Sequence, residues 1–135
     1  MSKKCVLLEK NNNVAVVTLN RPDNANTFNL DLVKDLYSAF KDCHHDENVR
    51  AVIFTGNGSM FSGGGDLQSF LAEKDNLGPL ITDMTTYFHL AVTLMHRMEK
   101  PIVVAINGTA AGGGLSLALS GDMESLNLII LLTLI

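Results

Sequence analysis

The chain has 135 residues, 47% hydrophobic and 18% charged, which suits one globular domain with a single core and excludes a disordered polypeptide. Ten basic against fourteen acidic residues give a net charge of −4, a poor balance for a nucleic-acid binder. Cys5 and Cys43 have no metal-ligand spacing and form no disulfide framework, so a reducing, cytoplasmic compartment is expected.

In chain order, Val6 to Leu8 and Val14 to Leu19 flank Asn11-Asn12-Asn13. Asn tolerates positive φ, so the spacing predicts a hairpin. Arg21-Pro22-Asp23-Asn24-Ala25-Asn26 reads as a loop, because Pro and clustered Asn and Asp break regular structure. Asn29 is then the expected cap of a helix running to about Cys43, with Leu32, Val33, Leu36, Ala39, Phe40 and Cys43 on its buried face. Ala51 to Thr55 reads as a short buried strand. A short helix from Asp66, its N-cap, reaches about Glu73, and Leu77 to Pro79 is expected to break the chain. A longer helix from about Leu80 to Met98 buries Ile81, Met84, Phe88, Val92 and Met95. Pro101 opens a strand over Ile102 to Ile106, and a last helix runs from about Gly113 to Leu119. Strand and helix alternate after residue 14, which predicts βαβ units, an α/β fold and a largely parallel sheet.

Two glycine-rich turns carry the functional signal. Each follows an apolar strand and leads into a helix: Phe54 to Leu67, containing Ser62-Gly63-Gly64-Gly65-Asp66, and Ile106 to Leu117, containing Ala110-Ala111-Gly112-Gly113-Gly114. Glycines at such junctions bare backbone N–H groups, and two of these converging would form an oxyanion hole. Neither turn contains a dinucleotide or P-loop fingerprint. The stretch around Ser116 is one residue off a nucleophile elbow, but the last histidine is His96, so a triad lacks its downstream base and Ser116 reads as a pocket-wall or packing serine. His44 and His45 could suggest a metal, but they are adjacent on a helix, point apart and have no further ligand spaced nearby, so they read as a solvated helix end. Arg97 and Lys100 read as surface charges, with contact to phosphates as the second reading.

The wording around the turns is specific. Leu19-Asn20-Arg21-Pro22-Asp23 with Asn26, Val49 to Gly56, Phe61 to Leu67, Lys100 to Gly108 and Ala111 to Gly114 with Ser116 to Leu119 follow in order. Over roughly residues 5–122 the chain resembles the crotonase (enoyl-CoA hydratase/isomerase) superfamily. The resemblance implies a spiral of ββα turns, present here as its N-terminal portion, and trimers or pairs of trimers. It implies an acyl-coenzyme A thioester as substrate, with coenzyme A as part of that substrate and no separate cofactor; from charge and spacing, no metal, nucleic-acid or membrane partner is expected, an RNA-binding role known for some relatives being a distant third reading given the acidic balance. It assigns the oxyanion-hole N–H groups to Gly65 and Gly113. The substrate site would take in Asn24, Asn26, Ser62, Gly64, Gly65, Asp66, Leu67, Ala110, Gly112, Gly113 and Ser116.

The acid–base residues depart from the pattern. Ser116 stands where hydratases carry a glutamate, and a second carboxylate would lie beyond Asp122, where the likeness stops. The Ala110-to-Leu119 stretch leans toward the isomerase branch, which uses one later carboxylate. Residues 1–122 are therefore read as a crotonase-like acyl-CoA-binding unit and 123–135 as a divergent apolar tail. Residues 126–135 are wholly uncharged. Ten residues rise only about 15 Å as a helix, too short to span a bilayer. The function expected is an acyl-CoA enzyme that stabilises a thioester enolate; the alternative is a truncated non-catalytic form without the acid–base carboxylate.

Overall fold

A computed structural model describes residues 3–125; residues 126–135, the apolar run, lie outside the described residues. The hairpin forms as the asparagines require. β1 (Val6–Asn11) and β2 (Val14–Leu19) pair antiparallel, and Asn12 and Asn13 take the turn at φ 51° and 67°. The Asn13 amide also donates to the Asn48 carbonyl at 2.8 Å, tying the turn to the next crossover. α1 (Leu30–His45) starts at Asn29, whose side chain accepts the Leu32 N–H. The six residues expected on its inner face, Leu32, Val33, Leu36, Ala39, Phe40 and Cys43, are all buried.

β3 (Ala51–Gly56), β5 (Ile102–Ala105) and β7 (Met123–Ser125) continue the sheet in the order β1-β2-β3-β5-β7, every pairing after the hairpin being parallel. Ala15, Val17, Leu19, Val52, Phe54, Ile102 and Val104 are buried with the inner face of α1 in one core. Phe40 meets Phe54 edge-on at 5.3 Å, and Phe54 meets Phe61 at 5.4 Å. α3 (Leu77–Arg97) packs along α1, burying Met84, Ala91 and Met95. β4 (Met60–Ser62) and β6 (Thr109–Ala110) form a small second sheet past the ends of β3 and β5. α2 (Leu67–Ala72) and α4 (Gly113–Ala118) follow them.

Three expectations change. α3 begins at Leu77, not Leu80: Pro79 is its third residue, where the N–H has no intrahelical partner and proline is tolerated. The break lies just before it, in a 3-10 turn over Lys74–Asn76. Lys100 is not available to phosphate. Its ammonium donates to the carbonyls of Cys43, His44 and Asp46 at 2.5, 3.3 and 2.7 Å, satisfying the end of α1. The sheet also runs past Asp122, since Met123, Glu124 and Ser125 pair with Val103, Val104 and Ala105. No helix among the described residues is long and apolar enough to cross a membrane.

Cys43 is fully buried, and burial pushes its thiol up to about 11, with the negative charge of Asp42 adding to the effect. The thiolate is the reactive form. Iodoacetamide at pH 8 is therefore expected to label the half-buried Cys5 in the folded chain and Cys43 only after unfolding in urea. Equal labelling of both in the folded state would place Cys43 outside the core.

Candidate functional site

The loop before α1 is built around one buried side chain. Asn26 is fully buried at φ 50°, directly after Ala25 at φ 53°. Its Oδ1 accepts the Arg21 N–H at 2.8 Å, while its Nδ2 donates to the carbonyls of Asn57 and Met60 at 2.9 and 3.0 Å. Asn107, from the second glycine turn, grips the same segment from the other side. Its Oδ1 accepts the Gly56 N–H at 3.0 Å, and its Nδ2 donates to Gly58 at 2.9 Å and Met60 at 3.2 Å. Two asparagine side chains thus hold the first glycine turn against both flanking loops.

Ser62 extends this lattice. Its hydroxyl donates to the Asn26 carbonyl at 2.8 Å and accepts the Gly64 N–H at 3.2 Å, and its carbonyl accepts the Ala111 N–H at 3.0 Å. The Gly64 carbonyl accepts the Phe28 N–H at 2.7 Å, and the Phe28 carbonyl accepts from Asp66 at 3.0 Å, a parallel bridge between the loop and the turn. Asp66 caps α2 by accepting from Gln68 and Ser69, and Arg21 reaches its other oxygen at 3.0 Å. The pair is largely buried, so the carboxylate is held on three donors.

These bonds bring the two turns into contact. Gly64 sits at φ +89°, and a Cβ there would lie 2.9 Å from the Ala111 carbonyl and 3.3 Å from the Gly113 nitrogen. Gly114 packs on Ser62, where a Cβ would come within 2.8 Å of the serine Cβ. Only glycine allows backbone to meet backbone this closely.

Gly65 and Gly113 line one pocket of about 260 Å³ with Phe28, Val33, Phe70, Met84, Phe88 and their neighbours. The N–H groups of both glycines make no hydrogen bond to other described residues. Gly65 is solvent-exposed and Gly113 half-exposed. α2 and α4 have six residues each, too short for much dipole, and the two N–H groups act as individual donors. The walls are hydrocarbon from four sources: Phe28 before α1, Val33 on α1, Phe70 on α2 and the face of α3. An apolar cavity of about 150 Å³ holds benzene, so this one has room for an aryl group or a medium-length chain. Two backbone donors without partners among the described residues, in the lining of one apolar pocket, are the donor type that suits a carbonyl oxygen whose apolar tail is buried.

The other expected site residues fall into two groups. Asn26, Ser62, Asp66 and Ala110 are buried within the scaffold and spend their polar groups on it. Asn24 is exposed on the loop rim; Leu67 is 72% exposed at the start of α2; Gly112 turns at φ 52° before Gly113. Ser116 is exposed on α4 and does not line the pocket. Sequence periodicity missed Phe28, Val33 and Phe70 as pocket walls, and it missed His89, which lies one residue past Phe88 at the pocket edge. The i, i+4 pair Thr85 and His89 beside the buried stripe was its only trace. Among the described residues no three His, Cys, Asp or Glu side chains come together to hold a metal.

The family model for enoyl-CoA hydratase/isomerase matches residues 9–127, taking in both glycine turns, both asparagine clamps and β7. A protein named Probable enoyl-CoA hydratase 1, peroxisomal, of Arabidopsis thaliana is 42% identical over 110 residues, 82% of this chain and 39% of its own length. The 1,2-epoxyphenylacetyl-CoA isomerase of Escherichia coli (strain K12) is 33% identical over 82% of this chain and 42% of its own. A crystal structure of an enoyl-CoA hydratase/isomerase from Mycobacterium paratuberculosis superposes with a TM-score of 0.81 at 32% identity, over 90% of this chain and 49% of that one. The chain thus spans less than half the length of these relatives. It shares with all of them the stretch that builds the paired glycine turns, and it belongs to the enoyl-CoA hydratase/isomerase, or crotonase, family.

Proposed function

We propose that the chain holds an acyl-coenzyme A thioester with its carbonyl oxygen on the N–H groups of Gly65 and Gly113, stabilising the enolate through which hydratase or isomerase chemistry of fatty acyl groups proceeds. One observation carries the reading: two backbone donors without partners among the described residues line the same apolar pocket. The α-proton of a thioester is only weakly acidic, and charge gathers on the oxygen as it leaves. Fixed donors at that point are worth about 3 kcal/mol each in comparable sites. The acyl chain lies against Phe28, Met84 and Phe88. Coenzyme A arrives as part of the substrate along the rim formed by Asn24, the backbone of Gly64 to Asp66, and exposed Leu67, so no separate cofactor is called for. A cytoplasmic setting and assembly as trimers or pairs of trimers belong to this reading, with exposed Leu119 and Met123 supplying apolar surface for contact.

Amide NMR tests it. Adding octanoyl-CoA is expected to shift the Gly65 and Gly113 resonances, while coenzyme A alone leaves Gly113 unmoved. The chain covers less than half of its relatives' length, so calorimetry is expected to give a Kd above about 10 µM, weaker than about −7 kcal/mol. If the thioester moves neither glycine, the reading is wrong.

A further inference from the structure

β1 is an edge strand of the five-stranded sheet, paired on one side only. The Asn20 N–H donates to the Cys5 carbonyl at 2.8 Å, and in an antiparallel ladder bonded pairs recur at every second residue. Leu7, Glu9 and Asn11 therefore bond to Thr18, Val16 and Val14, while Val6, Leu8 and Lys10 turn their N–H and C=O groups outward. The far side of β2 agrees with this register. There the Asn13 and Leu19 carbonyls accept from Arg50 and Asn57, which points the odd-numbered residues of β2 toward β3. None of the outward groups of β1 bonds to another described residue.

That free edge runs beside α1. Between them lies a groove of about 420 Å³ whose lining includes Val6, Leu8, Asp35, Ser38, Ala39 and Asp42, and which shares no residue with the glycine pocket. Val6 and Ala39 are buried and Leu8 is half-buried, so part of the lining is apolar. The helix side is acidic. A lysine on an edge strand commonly guards it, but Lys10 is drawn onto Asp42 and Asp46. Lys4 and Glu9 at the groove offset one another. Asp35 is left over: half-buried, it accepts the Cys5 N–H at 2.9 Å and has no cation within ion-pair distance among the described residues.

We propose that this groove binds an extended, basic segment of a partner protein, which joins the sheet as a strand beside β1. The outward N–H and C=O groups of Val6, Leu8 and Lys10 supply the main-chain pairing, and alternate side chains of the added strand supply the selectivity. An apolar side chain lies against Leu8 and Ala39, and a lysine or arginine of the segment takes the open carboxylate of Asp35. A second copy of this chain fits less well. Antiparallel pairing of two β1 edges would set the two α1 helices side by side on one face, bringing Asp35 and Asp42 of each toward those of the other.

The test adds the peptide acetyl-Thr-Lys-Thr-Val-Thr-Lys-Thr-amide to the whole chain; it reads alike in both directions, so either strand polarity presents the same face. Saturating peptide is expected to slow amide hydrogen exchange at Leu8 and Lys10 by about tenfold or more, with Leu7 and Glu9 unchanged. The same peptide with Glu in place of Lys should bind at least about tenfold more weakly. Asp35→Asn, which keeps an acceptor for the Cys5 N–H, should weaken the lysine peptide by about fivefold. Leu8→Pro removes one outward N–H at an edge position that tolerates proline, and should lose the peptide while circular dichroism is retained. No slowing with the lysine peptide overturns the proposal, as does equal binding of the two peptides. Should Leu8→Pro fail to fold, Asp35→Asn decides, and unchanged binding of the lysine peptide there overturns it. Sedimentation at twice the chain mass, with Leu8 and Lys10 protected before any peptide is added, gives the edge to a second copy and overturns it too.

Discussion

Asn26→Ala is expected to lower stability by about 4 kcal/mol, among the largest losses a single substitution causes. The side chain is fully buried and makes three hydrogen bonds, to the Arg21 N–H and to the carbonyls of Asn57 and Met60. Truncation leaves the N–H of half-buried Arg21 without its partner at about 1–3 kcal/mol, and the carbonyl of exposed Asn57 at the low end of that range. Met60 loses less, because Asn107 still donates to it at 3.2 Å. Alanine at φ 50° adds a left-handed penalty of roughly 1 kcal/mol that asparagine largely avoids. Urea unfolding followed by circular dichroism measures the loss, and the midpoint should fall with the slope unchanged. Asn24→Ala, two residues away on an exposed side chain, should stay within about 0.5 kcal/mol. A loss below about 1.5 kcal/mol for Asn26→Ala would mean that the loop is held mainly by its backbone bonds, not by the asparagine.

That contrast shows how far the residues could be read before folding. The hydrophobic spacing of α1 gave its buried face residue for residue, because a 3.6-residue period is a local property. The asparagine turn was equally local. Pro79 misled because proline ends helices and also begins them; which applies depends on where the preceding turn stops, here at Asn76. β4 and β6 are three and two residues long and exist only through the pairing of Met60 with Thr109 and of Ser62 with Ala110. No local signal announces such strands. Lys100 reads as a surface charge until α1 is seen to end beside it. In the site, the two glycine turns were legible because close backbone approach leaves a composition behind. Three of the pocket walls were not, since Phe28, Val33 and Phe70 come from three separate segments. The clamps lie between these cases. Asn26 and Asn107 were visible as loop asparagines, but their convergence on Met60 is a tertiary fact.

Gly113→Pro is expected to slow α-proton exchange of a bound acyl thioester by about 10² or more, with affinity changing less. Gly113 is the first residue of α4, where no intrahelical bond uses the N–H and where proline is a favoured residue. The substitution therefore removes one donor from the pocket and spares the helix. Steric change is controlled by Gly113→Ala, which keeps the N–H and places a Cβ 3.0 Å from the edge of the Phe28 ring. That contact requires the ring to give by a few tenths of an ångström, and Phe28 is a pocket wall, so the alanine variant reports what crowding alone does to rate and binding. A donor role requires proline to be far slower than alanine; equal slowing in both would assign the effect to the displaced Phe28. Full exchange in the proline variant would remove Gly113 from the oxyanion site. Gly65 would then remain as the one glycine donor proposed for the oxyanion, and a single donor is worth about 3 kcal/mol, half of what the pair supplies to the enolate.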